Sequence, residues 1–190
     1  MDQIKIGDYV LTANLTDSYF TDVTMWIHRE PETVSNFVTI QTEYGKMLRL
    51  TAQHYMYRNK CGKSFRQYIK LLPSDAEAVF ASQLEVGDCV IILYKGKWRQ
   101  QKIEEITTTT RKGIYSPLVI NGRIIVNDML ASCYSEVHQN TLQTTFFWAY
   151  GRLRDILSKF FGDLYDNKIQ LPTGTTLTRE IMELVLPIRK

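Results

Sequence analysis

Short runs of alternating apolar and polar residues fill the first two thirds of the chain. Residues 38–42 read Val-Thr-Ile-Gln-Thr, and after a Tyr-Gly break a second short run covers residues 47–50. Alternation with a period of two is typical of half-buried β-strands, and two such runs around a glycine-containing break predict a β-hairpin. A second hairpin is predicted where residues 90–93 lead through a Lys-Gly pair into residues 98–103. This part of the chain is therefore predicted to be mainly β.

A third hairpin is predicted around Asn121–Gly122. The apolar runs 118–120 and 124–126 flank this pair. Asn-Gly is the strongest short signal for a two-residue hairpin turn, because both central positions of that turn need a positive φ. We therefore expect a positive φ at both residues and pairing between the two flanking runs.

The pattern becomes that of a helix after Thr144. Apolar side chains recur at steps of three and four in residues 145–165, which predicts an amphipathic helix, and residues 178–186 predict a second, short one. We therefore expect a β-domain over 1–145 and a helical appendage over 146–190. The aromatic face of the first helix has three interpretations: core packing, contact with a membrane interface, or a pocket for an apolar ligand.

Two phrases in the chain are almost copies of each other. KIGDYVL begins at residue 5 and EVGDCVI begins at residue 85. The phrase Gly-Lys-Met-Leu at Gly45 likewise matches Gly-Arg-Ile-Ile at Gly122, at nearly the same offset. This spacing predicts two related β-units of about 65 residues each, arranged as a pseudo-twofold pair. Chance similarity between two ordinary turns is the alternative. In each unit we expect Asp8 or Asp88 to accept hydrogen bonds from nearby backbone amides.

Composition narrows the class of protein. The 190 residues carry a formal net charge of +3, with basic and acidic residues mixed along the chain, so nucleic-acid binding is not predicted. No run of 18 apolar residues occurs, and the first residues are too polar for a signal peptide. Three cysteines (Cys61, Cys89 and Cys133) are too few for a disulfide framework and leave at least one thiol free. Because the cysteines and histidines are scattered, we expect neither a metal nor a cofactor.

Two short blocks carry side chains suited to catalysis. In Thr51-Ala-Gln-His54, an imidazole able to transfer protons near neutral pH stands three residues from a hydroxyl that could orient the reacting group. A histidine hydrogen-bonded inside a β-turn is the alternative. Cys133 closes the second unit much as His54 closes the first, so a twofold arrangement would bring them together as a nucleophile pair. A buried structural cysteine is the alternative there.

Taken in order, these blocks resemble the C-terminal autoprocessing domain (the Hint or Hog domain) of hedgehog and hedgehog-related proteins, closest in character to warthog- and groundhog-like proteins. The resemblance covers residues 3–150 and is most specific in SPLVINGRIIVNDMLASCY, residues 116–134. It implies a mainly β, pseudo-twofold Hint fold with a C-terminal helical appendage. It also implies a self-processing, cysteine-dependent peptidase or acyl transferase. There, a cysteine at an upstream Gly-Cys junction forms a thioester, and the upstream domain passes to a sterol, another adduct or water.

The resemblance implies roles for individual residues. His54 would protonate the leaving amide nitrogen, Thr51 would position or polarise the scissile bond, and Cys133 matches a cysteine near the active centre of the family. His28 stands where hedgehog proteins carry an aspartate thought to activate the sterol. A histidine can also act as a general base, and this departure points to an acceptor other than a sterol. Residues 146–190 would form the adduct- or sterol-recognition region.

One departure from the family concerns the nucleophile. The family's cysteine begins the domain, in a strand before the Ile-Gly-Asp phrase, whereas here no cysteine precedes Cys61. Since no thioester forms without that thiol, we expect the chain as given to be inactive by itself. It would then be either a fragment of an autoprocessing protein or a truncated product. The alternative function is a catalytically dead Hint-fold module that binds an apolar ligand or a protein partner.

The resemblance also implies partners and a compartment. The expected partners are the upstream domain of the chain's own precursor and a sterol or other nucleophilic adduct, with membrane-interface contact through residues 146–165 and no nucleic acid. The chain itself is expected to be a monomer. Its parent protein is expected to pass through the secretory pathway to the extracellular space, as a developmental protein in cell–cell signalling.

Overall fold

The structure, a computed structural model, describes residues 1–14, 16–59, 61 and 76–135. Within these residues the chain forms ten β-strands and one short 3₁₀ turn, Ala81–Gln83. The strands are β1 Tyr9–Ala13, β2 Ser18–Asp22, β3 Met25–Thr42, β4 Met47–Thr51, β5 His54–Asn59, β6 Ala76–Phe80, β7 Cys89–Tyr94, β8 Lys97–Leu118, β9 Arg123–Val126 and β10 Met129–Ser135. The predicted mainly β class is confirmed, whereas the predicted C-terminal helices lie outside the described residues.

Eight of these strands form one sheet built on a long central pair. Strands β3 and β8, of 18 and 22 residues, pair antiparallel, and their register shifts at three places, where the pair can bend. The strand order is β4-β3-β8-β7-β10-β5-β6, with β9 paired to β10, while β1 and β2 form a separate hairpin. Strand β5 of the first unit pairs with β10 and β7 of the second. This exchange brings the ends of the two units together.

The Gly-Asp phrases form the same turn in both units. The Oδ2 atom of Asp8 accepts the backbone N–H of Lys5 at 2.9 Å, and Oδ2 of Asp88 accepts that of Glu85 at 2.9 Å. Each aspartate also donates its own N–H to the carbonyl of that same residue, at 3.1 and 3.0 Å. All the partners lie within three residues of sequence, so the turn is locally determined. The expectation for both aspartates is confirmed.

The glycines of these phrases also play matching parts. Gly7 and Gly87 have φ values of 90° and 104°, a region that residues with a Cβ rarely adopt. Their N–H groups donate to the carbonyls of Val23 and Ile103, at 2.9 Å in both cases. These two acceptors are separated in the sequence by the same offset as the two glycines. The two duplicated β-units are therefore confirmed as structural equivalents.

The hairpin predicted around Asn121–Gly122 is wrong. Gly122 has a φ of 67°, but Asn121 is not in the positive region, and β9 pairs with β10 instead of with the end of β8. The Asn121 amide is used for contacts with the first unit: it donates to the carbonyl of Ala13 at 2.8 Å and accepts the hydroxyl of Thr12 at 2.9 Å. A turn with positive φ at two consecutive residues lies instead at Asn127–Asp128, between β9 and β10.

Apolar residues from both units fill one main core. Because this core draws on both halves of the chain, neither unit buries its apolar face without the other. Its fully buried members include Val23, Ile40 and Met56 from the first unit and Val90, Ile92, Ile103 and Met129 from the second.

A disulfide joins Cys61 to Cys89, which are 28 residues apart in sequence. It ties the segment after β5 to the first residue of β7, with the two Cα atoms 5.2 Å apart. Cys133 is a buried free thiol, in agreement with the odd cysteine count. The pairing of the other two cysteines was not predicted from the sequence.

Candidate active site

A cavity of about 360 Å³ lies where the two units meet. Its wall is formed by the end of β4, the start of β5, the last part of β8, β9 and β10. Three of the four predicted site residues, Thr51, His54 and Cys133, line this cavity. The first two come from one unit and the third from the other, so the site depends on the pairing of the units.

A tight turn between two strands that are consecutive in the sequence, β4 and β5, places Thr51 and His54. Thr51 is the last residue of β4, and His54 is the first residue of β5, opposite Ser135 of β10. Between them, the carbonyl of Ala52 accepts the N–H of Ser82 at 2.9 Å. The turn is thus anchored in the middle as well as at both ends, and the two side chains border the same cavity.

A backbone carbonyl of the second unit holds the imidazole of His54. Its Nε2 lies 2.8 Å from the carbonyl oxygen of Ser132, 78 residues further along the chain. A carbonyl oxygen can only accept, so Nε2 carries the proton and Nδ1 carries the lone pair. Burial lowers the pKa of His54 from 6.5 to about 4, because desolvation disfavours the imidazolium; the charge of His28 acts in the same direction, and the Ser132 carbonyl opposes them. At neutral pH the ring is therefore neutral, and Nδ1 is the atom able to take up a proton.

The backbone that presents this carbonyl is fixed from two sides. Ser132 and Cys133 lie in the middle of β10, 0% and 1% exposed. The Oγ of Ser132 accepts the N–H of Tyr134 at 3.0 Å. From β8, the buried hydroxyl of Ser116 donates to the carbonyl of Cys133 at 2.7 Å. The Ser132 carbonyl is therefore a rigid anchor for the imidazole.

The thiol of Cys133 stays protonated at neutral pH. Burial raises its pKa from 9.0 to about 12, because a thiolate would lose its hydration, and a hydrogen bond with the backbone of Val119 offsets only part of this. Activated cysteine nucleophiles show the opposite shift. A nucleophile pair between His54 and Cys133 stays a prediction, and the environment of the thiol favours its alternative, a buried structural cysteine beside the site.

His28, the fourth predicted site residue, lies next to the cavity, whose described lining does not include it. It is buried on β3, opposite Ser116 of β8. Its Nδ1 lies 3.3 Å from Oε1 of Glu30. His28 is close enough to His54 for its charge to lower the pKa of that imidazole. The fold thus brings three of the predicted residues together and places the fourth beside them.

The hydrogen-bond partners that fix these side chains were not predicted from the sequence. The carbonyl of Ser132 leaves no signal, because every residue has one. Glu30 does leave a signal: it stands two residues after His28, and alternate residues of a strand share a face. The pairing of Ser116 with β10 spans 17 residues and could not be read from local pattern.

In the described part of the chain, no group of three or more histidine, cysteine, aspartate or glutamate side chains could hold a metal ion. That part also contains no helix long and apolar enough to cross a membrane.

A profile of the family described as the Hint module matches residues 1–186. The chain belongs to the Hint family. Warthog protein 1 of Caenorhabditis elegans is 29% identical to this Hint chain, over 98% of the chain and 36% of its own length. Indian hedgehog B protein of Danio rerio is 32% identical, over 82% of the chain and 37% of its own length. The chain thus spans about a third of the length of these two relatives.

The fold is also found among solved structures. A KlbA intein precursor from Methanococcus jannaschii matches 69% of this Hint chain and 67% of its own length, with a TM-score of 0.52 and 18% identity. At that identity the likeness shows the fold alone. The Hint module together with the hedgehog and warthog relatives supports an autoprocessing type of function in general.

Proposed function

We propose that this Hint domain catalyses self-cleavage of a hedgehog-related precursor at a Gly-Cys junction upstream of its own first residue. The reaction runs through a thioester, which is passed to a sterol, another adduct or water. The observation that carries the proposal is the meeting of Thr51, His54 and Cys133 around one cavity between the two units. In this proposal the nucleophilic cysteine lies upstream of the given residues, and thioester formation requires its thiol.

The first step exchanges an amide for a thioester. The cysteine sulfur bonds to the carbonyl carbon of the glycine, the carbon–nitrogen bond breaks, and the thiol proton ends on the leaving nitrogen. His54 carries that proton: Nδ1 takes it from the thiol and delivers it to the amine. A pKa of about 4 makes the imidazolium a ready proton donor at neutral pH.

Thr51 and Ser132 act on the geometry of this step. The Ser132 carbonyl occupies Nε2 of His54 at 2.8 Å, so the ring presents Nδ1. The Thr51 hydroxyl, at the end of β4, positions or polarises the scissile bond. Cys133 lines the same cavity as a protonated thiol.

The second step releases the upstream domain. An outside nucleophile bonds to the thioester carbonyl, and the carbon–sulfur bond breaks. His28, where hedgehog proteins carry an aspartate, is the general base of this step. An imidazole can act as a general base towards a hydroxyl group, and the departure from the family's aspartate favours an acceptor other than a sterol.

The partner of the domain is then its own upstream segment, on which it acts as a monomer. The disulfide between Cys61 and Cys89 supports passage of the precursor through the secretory pathway, because such bonds persist in oxidising compartments and are rare in the cytosol. We propose the same route for the parent protein, to a role in extracellular signalling.

The test restores the upstream piece. A small reporter ending in glycine, followed by a hedgehog-type first strand that begins with cysteine, is fused to residue 2 of the full chain. The fusion is incubated with dithiothreitol, and reporter release is followed by mass spectrometry. Release should require both the added cysteine and His54, and a Cys→Ala change at the junction is the control for thioester formation.

Either outcome is informative. Release that depends on both groups supports a catalytic centre in this chain. A soluble, folded fusion that releases nothing would contradict the proposal and favour the alternative, a Hint-fold module that binds an apolar ligand or a protein partner.

A further inference from the structure

A carboxylate contacts the buried histidine beside the cavity. His28 and Glu30 lie on one face of β3, with Nδ1 of the imidazole 3.3 Å from Oε1 of the carboxylate and side-chain exposures of 10% and 25%. The hydroxyl of Thr33 donates to the other oxygen, Oε2, at 3.0 Å. The hydrogen bond from Thr33 therefore fixes the Glu30 carboxylate so that its other oxygen, Oε1, faces the His28 ring.

This contact selects one form of the neutral imidazole. An ionised carboxylate only accepts, so Nδ1 of His28 carries the proton and Nε2 carries the lone pair. A carboxylate on one nitrogen of a histidine also stabilises the imidazolium that forms when the other nitrogen takes up a proton. In this arrangement Nε2 is the nitrogen of His28 that can accept a proton.

The position of His28 connects it to the cavity. Its partner across the β3–β8 pair is Ser116, which lines the cavity and donates to the carbonyl of Cys133. The effect of His28 on the pKa of His54 places the two rings within electrostatic reach. The first unit thus brings two histidines to the site, each with one nitrogen occupied by a fixed oxygen.

We propose that Glu30 is a positioning residue that orients His28 as the base for an oxygen nucleophile, a water or a small alcohol, in the second step; this rests on the function proposed above. The hydroxyl oxygen bonds to the thioester carbonyl carbon, and its proton moves to Nε2 of His28. The carbon–sulfur bond breaks, and the cysteine thiolate that leaves recovers the proton from the imidazolium. No oxidant or further reactant is needed.

Thioester formation and attack by a hydroxyl can be measured separately, which distinguishes failure of this inference from failure of the proposed function. In the fusion described above, dithiothreitol attacks as a thiolate and reports thioester formation, whereas release in buffer alone, or with added methanol, reports activation of a hydroxyl. We expect Glu30→Gln to leave release by dithiothreitol within twofold of wild type. Release by water and by methanol should fall at least about tenfold, and Glu30→Asp should recover part of it.

A matched control lies two residues away. Glu32 is 81% exposed and pairs with Lys112, so Glu32→Gln removes the same charge without touching His28 and should change neither kind of release. Unchanged release by water and methanol in Glu30→Gln, with normal release by dithiothreitol, would overturn the inference alone. No release by dithiothreitol from the wild-type fusion would overturn the proposed function and this inference with it.

A second measurement uses the chain as it is. Nitrogen-15 spectra of histidine-labelled protein distinguish the two neutral imidazole forms, and His→Gln variants assign the three rings. His28 should carry its proton on Nδ1, and in Glu30→Gln this preference should weaken, with no change at His54. A wild-type His28 protonated on Nε2 would contradict the proposed arrangement directly.

Discussion

The two β-units share their turns and differ at their ends. Asp8 and Asp88 make the same hydrogen bonds at equivalent positions, yet the first unit ends in a histidine at the start of β5 and the second in a buried cysteine within β10. Burial disfavours the charged form at both ends: the pKa of His54 falls to about 4 and that of Cys133 rises to about 12. The first unit supplies the imidazole of His54, and the second supplies the Ser132 carbonyl that orients it. The two units are thus equivalent in their Gly-Asp turns and different in the residues that they contribute to the cavity.

The largest effect is expected from replacing His54, the residue that the first unit contributes to the proposed first step. In the reporter fusion, His54→Ala should lower release by dithiothreitol by at least about 100-fold, since general acid–base catalysis contributes on that scale. His28→Ala should leave the same release nearly unchanged, because His28 is assigned to the second step. Equal losses in the two variants would contradict the assignment, with circular dichroism as the check that both are folded.

The two equivalent glycines, Gly122 and Gly45, should differ in stability when replaced. Both have positive φ, 67° and 75°, so alanine is strained at either position. At Gly122 the added Cβ would also overlap the ring of Tyr134, with Oη only 2.9 Å away, whereas at Gly45 nothing lies within 4 Å. We expect Gly122→Ala to lower the free energy of unfolding by about 3 kcal/mol and Gly45→Ala by about 1 kcal/mol, measured by urea denaturation. Equal losses would mean that the strand carrying Tyr134 moves freely.

The disulfide marks a difference between Cys89 and its equivalent Tyr9. Cys61→Ala/Cys89→Ala opens a loop of 28 residues and should lower the free energy of unfolding by about 3 kcal/mol. Tyr9 is 72% exposed, so Tyr9→Ala should cost less than about 0.5 kcal/mol. Wild type measured with a reducing agent should match the double variant. Insensitivity to reduction would show that the bond adds nothing to the stability of the second unit.

The burial of His54 should make the fold sensitive to acid. Its pKa is about 4 in the folded chain and about 6.5 when unfolded, so below pH 6.5 the unfolded chain binds a proton that the folded chain does not. The stability that depends on a neutral His54 is therefore intact above pH 6.5 and is lost as the pH falls towards 4. Between pH 7 and 5, wild type should lose between about 1 and 2 kcal/mol more than His54→Gln. The measurement is the free energy of unfolding of both proteins at several pH values. If it fell by the same amount in both between pH 7 and 5, the lowered pKa of His54 would be contradicted.

The smallest effect compares the two turn aspartates. Asp8→Ala and Asp88→Ala each remove one side-chain acceptor for a backbone N–H and should cost about 1 kcal/mol. Asp88 also lies 3.5 Å from Nη1 of Arg58, so its replacement should cost about 0.5 kcal/mol more. A larger loss for Asp8→Ala than for Asp88→Ala would mean that the first turn contributes more to stability than the second.

Local pattern was sufficient for several parts of this protein. The hairpins β3–β4 and β7–β8, the two Gly-Asp turns and the duplicated units could be read from periodicity and spacing, because their hydrogen bonds join residues close in sequence or repeat at a constant offset. Thr51, His54 and Cys133 were chosen as candidates because their types suit proton transfer and nucleophilic chemistry, and the structure places all three around one cavity. The free thiol followed from an odd count.

The misread Asn121–Gly122 turn shows where local pattern fails. The dipeptide favours a two-residue hairpin, but hydrogen bonds to Thr12 and Ala13, at the far end of the described chain, hold Asn121 in another conformation. Tertiary contacts of this kind outweigh a turn preference, because leaving a half-buried amide without partners costs more than altering the turn.

By itself, the sequence determined the β class, the duplication, the two Gly-Asp turns and the chemical types of the candidate site residues, all of which depend on side-chain identity and short-range geometry. Only the tertiary structure decided that His54 donates to the carbonyl of Ser132, 78 residues away. It also decided that Cys61 bonds to Cys89 and that Glu30 faces His28. These contacts follow from the pairing of β5 with β10 and of β3 with β8, and so from the burial of one core by two units. The pKa values of His54 and Cys133 follow from that burial too, because desolvation depends on what surrounds a group and not on its own identity.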